Sequence, residues 1–296
     1  MLDAVDAVLV RELQRDGRAT FQALADRVGL SRTAVRTRVQ HLLDSGIVRV
    51  VGIVHASVVG TGAIGHLAID VDGPAKQVAD AVARRAAAWF AALAAGAHPV
   101  VAELRVRDDA ALVEEVDAVR SLPGVRGIEV FRVTTVVKDA HSVVTELPDV
   151  SLDEIDWRLL RELTRDGRTP YTRLAEVVGL SQAATRARAV RLMRSGIIHV
   201  TGIVDSQALG SGELAGLGVR VSSDIATAAS RIAALPGVNY VVTGFGRHDL
   251  LAGIDATSRD VLLSTLEAVR AVPGAWVGET WQHLDVVKRV YGAELP

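Results

Sequence analysis

The sequence predicts an α+β chain that contains two copies of one folding unit of 150 residues. The stretch "LVRELQRDGR" at 9–18 recurs as "LLRELTRDGR" at 159–168, and "AVRSLPGV" at 118–125 recurs as "AVRAVPGA" at 268–275. Both pairs are separated by 150 positions, so the chain is a tandem duplication rather than a short-period repeat array. Within each copy, helical spacing comes first and an alternation of strands and helices follows, which predicts the mixed class.

Helices dominate the first part of each copy. In copy 1, Leu2, Leu9 and Leu13 lie at helical spacing and predict a first helix. The turn "RDGR" ends this helix, and we expect Gly17 to adopt the left-handed conformation common at helix ends. Ser31 is placed to cap a basic helix after the next turn, which is typical of a helix-turn-helix. The predicted elements are helices over 2–15, 20–28 and 31–44 and a strand over 47–55.

Strands and helices alternate in the second part of each copy. In copy 1 the predicted elements are a strand over 65–71, a helix over 76–86, strands over 88–95 and 98–106, a helix over 109–121 and a strand over 125–137. In copy 2 the strands fall near 214–221, 238–245, 248–255 and 275–287. The order βαββαβ is that of the ferredoxin-like unit.

Composition limits the classes of function. The net charge is −2, so overall charge does not indicate a nucleic-acid partner. The chain has no cysteine, which excludes disulfides and thiolate metal sites and fits a cytoplasmic location. Two aspartates precede the first basic residue, unlike in a secretory signal peptide, and the apolar run at 86–97 is too short to span a bilayer. We therefore expect a cytoplasmic protein with no membrane partner.

The motifs of both copies resemble those of the leucine-responsive/AsnC family of bacterial transcription regulators. The matching positions in copy 1 are Asp6, Gly17, Arg18, Leu24, Ala25, Ser31, Arg38, Leu42, Gly46 and Ile47. Copy 2 repeats the pattern from Asp156 to Ile197, so the resemblance covers nearly the whole chain. It implies a winged helix-turn-helix domain that binds double-stranded DNA, followed by a ferredoxin-like effector domain that dimerises through its sheet.

The fusion of two copies has a consequence for assembly. Family members usually dimerise from separate chains, so the resemblance implies a covalent pseudo-dimer here, and a homo-oligomer of such fused pseudo-dimers. The expected domains are a winged helix-turn-helix with its connecting strand over 1–60, an effector domain over 61–138, a linker over 139–151, a second winged helix-turn-helix over 152–210 and a second effector domain over 211–291.

A recognition helix reads bases with the outward side chains near its N-terminus. In copy 1 these are Thr33, Arg36, Thr37 and Gln40, with Ser31 and Arg32 at the leading end. Arginine can bond guanine through two hydrogen bonds, and glutamine can pair with adenine. Arg38 lies beside the apolar stripe and fits either a phosphate contact or an internal ion pair. Taken alone, such arginines are more often a solvated helix face, but two intact helix-turn-helix units favour DNA.

The matching positions of copy 2 have less polar reach. They are Ala183, Arg186, Ala187 and Val190, with Ser181 and Gln182 at the leading end. We expect Arg188, Arg191 and Arg194 to bind phosphates. The sequence therefore predicts an asymmetric reader, in which the first copy dominates base specificity and the second mainly adds affinity.

The resemblance also implies a small effector, usually an amino acid in this family, at the loop between the second and third strands of the effector domain. In copy 2 the matching residues are Gly244, Gly246, His248 and Asp249, with Thr280 on the last strand. Glycines let backbone N–H groups approach a carboxylate, and an aspartate can bind an ammonium group. Pro99 and Val130 replace Asp249 and Thr280 in copy 1, so that site looks degenerate. A plain hairpin turn is the alternative interpretation.

The sequence contains no nucleophile motif, phosphate loop or catalytic carboxylate pair. His98 and His248 are equivalent, but neither has a neighbour at metal-ligand spacing, so both are interpreted as hairpin-edge residues. We therefore expect no enzyme activity and no cofactor besides the effector. Two alternatives remain: an enzyme similar to siroheme decarboxylases, whose helix-turn-helix units lack the "dgR" turn and basic recognition helix present here, and a nucleoid-organising protein.

Overall fold

The computed structural model describes residues 3–55, 58, 61–139, 147, 151–204 and 212–290, and it confirms the mixed α+β class. These residues form two compact units. One holds the described residues of 1–59 and 141–211, and the other those of 60–140 and 212–290. Each unit therefore combines the same part of both copies. Most of the expected linker over 139–151 lies outside the described residues.

Both copies contain the same elements in the same order. The helices of copy 1 are α1 (Ala4–Arg15), α2 (Phe21–Val28), α3 (Arg32–Asp44), α4 (Ala75–Ala83) and α5 (Asp109–Arg120), and its strands are β1 (Val48–Val54), β2 (Ala63–Val71), β3 (Ala88–Ala95), β4 (Val100–Val106) and β5 (Val125–Lys138). The helices of copy 2 are α6 (Glu154–Arg165), α7 (Tyr171–Val178), α8 (Gln182–Arg194), α9 (Ile225–Ala233) and α10 (Arg259–Arg270), and its strands are β6 (Ile198–Val204), β7 (Glu213–Val221), β8 (Val238–Phe245), β9 (Leu250–Ala256) and β10 (Ala275–Arg289). In the described parts of the chain, none of these helices is apolar over a length that would cross a bilayer.

The first unit contains both helix-turn-helix segments. The apolar stripe predicted for α1 is buried at Leu9 and Leu13, where it packs with Leu24 of α2 and Val35 of α3. The Ser31 side chain accepts a hydrogen bond from the Ala34 N–H at 3.2 Å, as expected for a helix cap. Each segment is followed by one described strand, and β1 runs antiparallel to β6 of the other copy. The two copies therefore share a two-stranded sheet.

The prediction that Gly17 adopts the left-handed conformation is wrong. Its φ is not among the positive values of the chain, and α1 ends instead at an extended Asp16. A side chain at Gly17 would place Cβ 2.7 Å from Cγ1 of Val50 and 3.0 Å from the backbone nitrogen of Thr201 in the other copy. The position therefore needs glycine because two backbones approach closely there, not because a helix end needs left-handed φ.

The second unit is a closed sheet of eight strands in the order β10-β3-β4-β2-β5-β8-β9-β7. The junctions between the copies are antiparallel pairs of β5 with β8 and of β10 with β3. Helices α4 and α5 cover one half through a core that includes Val82 and Val119, and copy 2 repeats this with Ile232 and Val269. The sheets of one chain are thus paired with each other, as a covalent pseudo-dimer requires.

The strand faces turned away from the helices carry an asymmetric set of polar groups. The Tyr240 hydroxyl of copy 2 donates to Oε2 of Glu103 in copy 1 at 2.9 Å, and Nε2 of His66 lies 2.9 Å from the same hydroxyl. Burial alone would raise the pKa of Glu103, but Arg105 and His66 lower it well below its ordinary value. This face also holds His283, whose Nε2 accepts a hydrogen bond from the Trp281 indole at 3.0 Å.

Acid should destabilise the second unit through His283. Burial, with smaller contributions from Arg289 and His66, lowers the pKa of His283 to about 3. In the unfolded chain the His283 pKa returns to its ordinary value of 6.5, so the unfolded state binds a proton that the folded state excludes. The contribution of neutral His283 to the free energy of unfolding is therefore fully present above about pH 6.5 and is lost as the pH falls towards 3. Between pH 7 and pH 5 we expect the free energy of unfolding to fall by about 2 kcal/mol more in the native chain than in His283→Gln. Urea titrations followed by tryptophan fluorescence test this, and equal pH dependence of both proteins would contradict it.

Candidate nucleic-acid interface

The outward face of α3 is polar and open to solvent. Thr33, Arg36, Thr37 and Gln40 are all exposed, as the helical geometry predicts, and Arg32 is exposed at the leading end. Gln40 Nε2 donates to Oδ1 of Asp44 at 2.8 Å, and the Thr37 hydroxyl donates to the Thr33 carbonyl at 3.2 Å. Arg36 therefore stands on this face between side chains that can also donate and accept hydrogen bonds.

Arg38 makes an internal ion pair. Its Nη1 lies 2.6 Å from Oδ2 of Asp3 and 2.8 Å from Oδ1 of Asp6, the residue that forms a capping box with Asp3 at the start of α1. Hydrogen bonds from the Asp6 backbone and from Arg38 hold the pKa of Asp3 below its ordinary value. Of the two roles open for Arg38, the structure therefore favours the structural one, which joins α3 to α1.

In copy 2 the equivalent ion pairs involve two of the arginines expected to bind phosphates. Arg188 Nη1 lies 2.6 Å from Oδ2 of Asp153 and 3.1 Å from Oδ1 of Asp156, while Arg191 Nη2 lies 2.6 Å from Oδ2 of Asp156. Asp156 is 1 % exposed. Arg188 and Arg191 were predicted to bind phosphates, but much of their charge is balanced within the fold. Arg186 and Arg194 are exposed on α8.

The leading end of α8 keeps its cap but not its polar face. The Ser181 side chain accepts a hydrogen bond from the Ala184 N–H at 3.2 Å, and Gln182 is exposed beside it. Ala183 and Ala187 are exposed, and Val190 is half-buried. Both recognition helices are therefore built and capped alike, and they differ in the chemistry of their exposed side chains.

Arg18 and Arg168 make hydrogen bonds between the two copies that the sequence does not predict. Arg18 donates to the carbonyls of Gly167 and Thr169, and Arg168 donates to those of Gly17 and Ala19. Each arginine thus binds the backbone of the other copy. The exact recurrence of "RDGR" at the offset of 150 positions was the available signal, although it does not reveal that the two turns meet.

In the second unit, four of the residues expected to bind the effector lie at the β8–β9 connection, namely Gly244, Gly246, His248 and Asp249. Asp249 Oδ2 accepts a hydrogen bond from the Val221 N–H at 2.8 Å. The His248 ring is buried, with Nε2 3.2 Å from Oε2 of Glu279. Thr280 is exposed on β10. Glu279 of β10 was not among the residues predicted to bind the effector, and its contact with His248 places a second carboxylate beside this loop.

The glycines of the β8–β9 loop permit close backbone approach. A Cβ at Gly244 would clash with the Arg132 carbonyl oxygen, and a Cβ at Gly246 would lie 3.0 Å from the Val130 carbonyl oxygen. These contacts belong to the pairing of β8 with β5, so both glycines have a structural reason to be present. Arg247, between them and His248, has Nη1 3.5 Å from Oε2 of Glu129 and 3.7 Å from Oε2 of Glu279.

Copy 1 keeps the histidine and the glutamate at the equivalent loop but not the aspartate or the threonine. His98 is buried, with Nδ1 2.9 Å from Oδ1 of Asp70 and Nε2 3.7 Å from Oε2 of Glu129. Pro99 stands where copy 2 has Asp249, and Val130 where it has Thr280. Within the described residues, no group of three or more histidine, aspartate or glutamate side chains is arranged to hold a metal ion.

Comparisons with known proteins identify the first unit. A model of the AsnC-type helix-turn-helix domain matches residues 2–43 and 152–193. The transcriptional regulator FL11 of Pyrococcus abyssi is 32 % identical over 127 residues, which cover 42 % of this chain and 84 % of that protein. The regulator LysM of Saccharolobus solfataricus is 31 % identical over 128 residues, or 43 % of this chain and 89 % of that protein. The structure of the siroheme decarboxylase NirDL matches 98 % of this chain and 94 % of its own, with a TM-score of 0.65 and 16 % identity.

Asp6 and Asp156 offer a matched test of the ion pairs behind the recognition helices. Both belong to a capping box, but the Asp156 side chain is 2 % exposed and bonds two arginines, whereas that of Asp6 is 17 % exposed and bonds one. We expect Asp156→Asn to lower the free energy of unfolding by about 2–3 kcal/mol, since hydrogen bonds to charged groups are lost in a buried place. Asp6→Asn should cost about 1 kcal/mol. Urea unfolding followed by circular dichroism measures both, and equal losses would contradict the assignment.

Proposed function

The chain belongs to the Lrp/AsnC family of helix-turn-helix transcription regulators, and we propose that it is a sequence-specific DNA-binding regulator that responds to a small effector. The observation that carries this proposal is the presence of two complete, capped helix-turn-helix segments within one unit. Each presents an exposed arginine, Arg36 or Arg186, on the outward face of its second helix. Such a helix lies in the major groove in this class of DNA-binding motif, where its exposed side chains contact base edges.

The finer architecture follows from the same proposal. Each copy consists of a winged helix-turn-helix domain and a ferredoxin-like effector domain. The strand order β5-β2-β4-β3 within the closed sheet supports the second assignment, because the first and third strands of the βαββαβ unit lie at its centre. For the first assignment, β1 and β6 take the place that follows each helix-turn-helix. The chain then acts as a pseudo-dimer located in the cytoplasm, and such chains assemble further.

The two recognition helices read DNA unequally. Arg36, Thr37 and Gln40 give α3 several groups that can bond base edges. On α8, Arg186 stands among alanines, and Arg188 and Arg191 are held by carboxylates. The first half-site should therefore carry most of the sequence information, while the second contributes phosphate contacts through Arg194.

The effector is an amino acid bound at the β8–β9 loop of copy 2. Asp249 and Glu279 supply carboxylates for an ammonium group, since a carboxylate accepts several hydrogen bonds and Asp249 uses one oxygen on Val221. Gly244, Gly246 and His248 complete the set at the loop, and Thr280 would contribute from β10. Copy 1 lacks the Asp249 and Thr280 equivalents, so we assign one effector site to each chain.

An enzyme similar to siroheme decarboxylases is the second candidate function. The likeness to NirDL over 98 % of this chain favours it, together with the cluster in which the half-buried His66 and Tyr240 contact each other and Tyr240 bonds the buried Glu103. At 16 % identity this likeness concerns the fold. A purified protein that carries a coloured tetrapyrrole and binds no particular DNA sequence would favour this candidate. Broad binding without preferred sites would favour a nucleoid-organising protein.

Retention of sheared genomic DNA on the tagged protein, followed by sequencing, tests the regulator proposal. We expect a small number of sharp peaks that share a motif with one half-site better defined than the other.

Arg36→Ala should remove most sequence preference at that half-site, at about 1–3 kcal/mol for a bidentate base contact. Arg186→Ala should have a smaller effect on preference. Arg270→Ala, an exposed arginine of the second unit, is the control. Equal loss of preference in Arg36→Ala and Arg186→Ala would contradict the asymmetric reader.

Calorimetry with each of the twenty amino acids tests the effector proposal. A ligand that binds the folded chain should also raise its melting temperature, because binding stabilises the native state. We expect Asp249→Asn to lose at least about tenfold in affinity, since a charge-assisted hydrogen bond becomes a neutral one. Asp260→Asn, an exposed position in α10, should bind normally. Unchanged affinity in Asp249→Asn would place the ligand elsewhere.

A further inference from the structure

The "RDGR" turns of the two copies make reciprocal contacts. Arg18 Nη1 donates to the Gly167 carbonyl at 2.5 Å and Nη2 to the Thr169 carbonyl at 3.1 Å. Arg168 Nη1 donates to the Gly17 carbonyl at 2.7 Å and Nη2 to the Ala19 carbonyl at 3.2 Å. Each guanidinium therefore bridges two carbonyls that are two residues apart in the other copy. We refer to this pair, Arg18 and Arg168 with their four carbonyl partners, as the arginine clamp.

The clamp also reaches the helix-turn-helix of the opposite copy. The guanidinium of Arg18 lies over the Tyr171 ring, 4.6 Å from its centroid, and that of Arg168 lies over the Phe21 ring at 5.2 Å. Phe21 and Tyr171 are the first residues of α2 and α7, which pack on the recognition helices. A planar guanidinium can stack on a ring and donate two hydrogen bonds at once, which a lysine cannot do.

The backbone around the clamp leaves little freedom. The Gly17 N–H donates to the Val200 carbonyl at 2.9 Å, and the Gly167 N–H donates to the Val50 carbonyl at 2.9 Å. A Cβ at Gly167 would lie 3.1 Å from Cγ1 of Val50 and 3.1 Å from the carbonyl carbon of Val51, so this approach depends on glycine in both copies. These hydrogen bonds fix both turns to the β1–β6 pair. Because Arg18 and Arg168 also contact Tyr171 and Phe21, they restrict the positions of α7 and α2 relative to that pair.

We propose that Arg18 and Arg168 are positioning residues that set the separation and angle of the two recognition helices, and hence the half-site spacing that the protein accepts. The inference rests on the proposed DNA-binding function. Paired helix-turn-helix units bind half-sites whose spacing mirrors the geometry of the protein. The packing of α1 on β6 and of α6 on β1 holds the first helix of each copy against the other copy. The clamp adds hydrogen bonds and ring contacts that reach α2 and α7, the helices that pack directly on the recognition helices.

Binding to a library of operators tests this role. The two half-sites recovered from genomic DNA are separated by spacers that differ in single base-pair steps. The native chain should bind one spacing more tightly than the others. In the variant with both Arg18→Lys and Arg168→Lys, the ratio of the affinities for the favoured and the other spacings should fall about tenfold, equivalent to about 1.4 kcal/mol. Arg165→Lys is the matched control, because Arg165 is exposed and pairs with Glu162 within its own helix. Affinity for non-specific DNA should stay within about twofold, since lysine keeps the charge.

A second measurement does not depend on DNA. The chain has no cysteine, so Gln22→Cys and Thr172→Cys place one spin label on each of α2 and α7 at equivalent exposed positions. Pulsed dipolar spectroscopy should give a narrow distance distribution in the native background and with Arg165→Lys. The double lysine variant should give a broad one while its circular dichroism spectrum is unchanged.

The outcomes separate the two proposals. Specific DNA binding with an unchanged spacing profile in the double lysine variant, or an unchanged distance distribution, overturns the positioning role and leaves the regulator proposal intact. A native chain that selects no DNA sequence overturns the regulator proposal and, with it, the assignment of half-site spacing, even if the distance distribution broadens.

Discussion

The close approach of two backbones at Gly17 and Gly167 is the constraint on which the first unit depends. Each of these residues donates its N–H to a strand of the other copy, and neither position has room for a Cβ atom. The β1–β6 pair, the reciprocal arginines and the packing of α2 and α7 all surround this contact. A helix-turn-helix has too small a core to fix a neighbour by itself, so a shared sheet gives two such segments one framework.

Carboxylates at the start of α1 and α6, the first helix of each helix-turn-helix segment, form ion pairs with an arginine of the recognition helices α3 and α8. This arrangement separates two kinds of arginine that composition does not distinguish. Arg38 and Arg188 face acidic side chains, whereas Arg36 and Arg186, two positions earlier, face solvent. Because paired charges contribute little to attraction at a distance, the DNA-facing charge of the unit is smaller than its number of arginines indicates. Base contacts by few side chains then become relatively more important.

Much of the fold could be predicted because it depends on local patterns. Helical spacing placed Leu9 and Leu13 in the core, Ser31 and Ser181 cap their helices as expected, and the 150-residue offset located every element of copy 2. The contacts that join the copies could not be predicted in this way. Arg18 and Arg188 are the same type of residue and each precedes an alanine, yet one binds carbonyls of the other copy and one binds carboxylates of its own. Those roles depend on which surfaces meet, and a single sequence does not contain that information in its spacing.

Fusion also explains why the second unit is asymmetric inside. In a dimer of identical chains every contact across the two-fold axis occurs twice, with the roles of the two chains exchanged. In this chain Glu103 and His66 of copy 1 meet the Tyr240 hydroxyl of copy 2, while the equivalents in the opposite direction are Gly253, Gly216 and Phe90. Gly216 in turn leaves space for the Trp281 ring, with which any side chain at this position would clash. Each half has therefore become complementary to the other rather than to itself. The same freedom applies to the recognition helices and to the effector loop, where copy 1 has Pro99 and Val130 in place of Asp249 and Thr280.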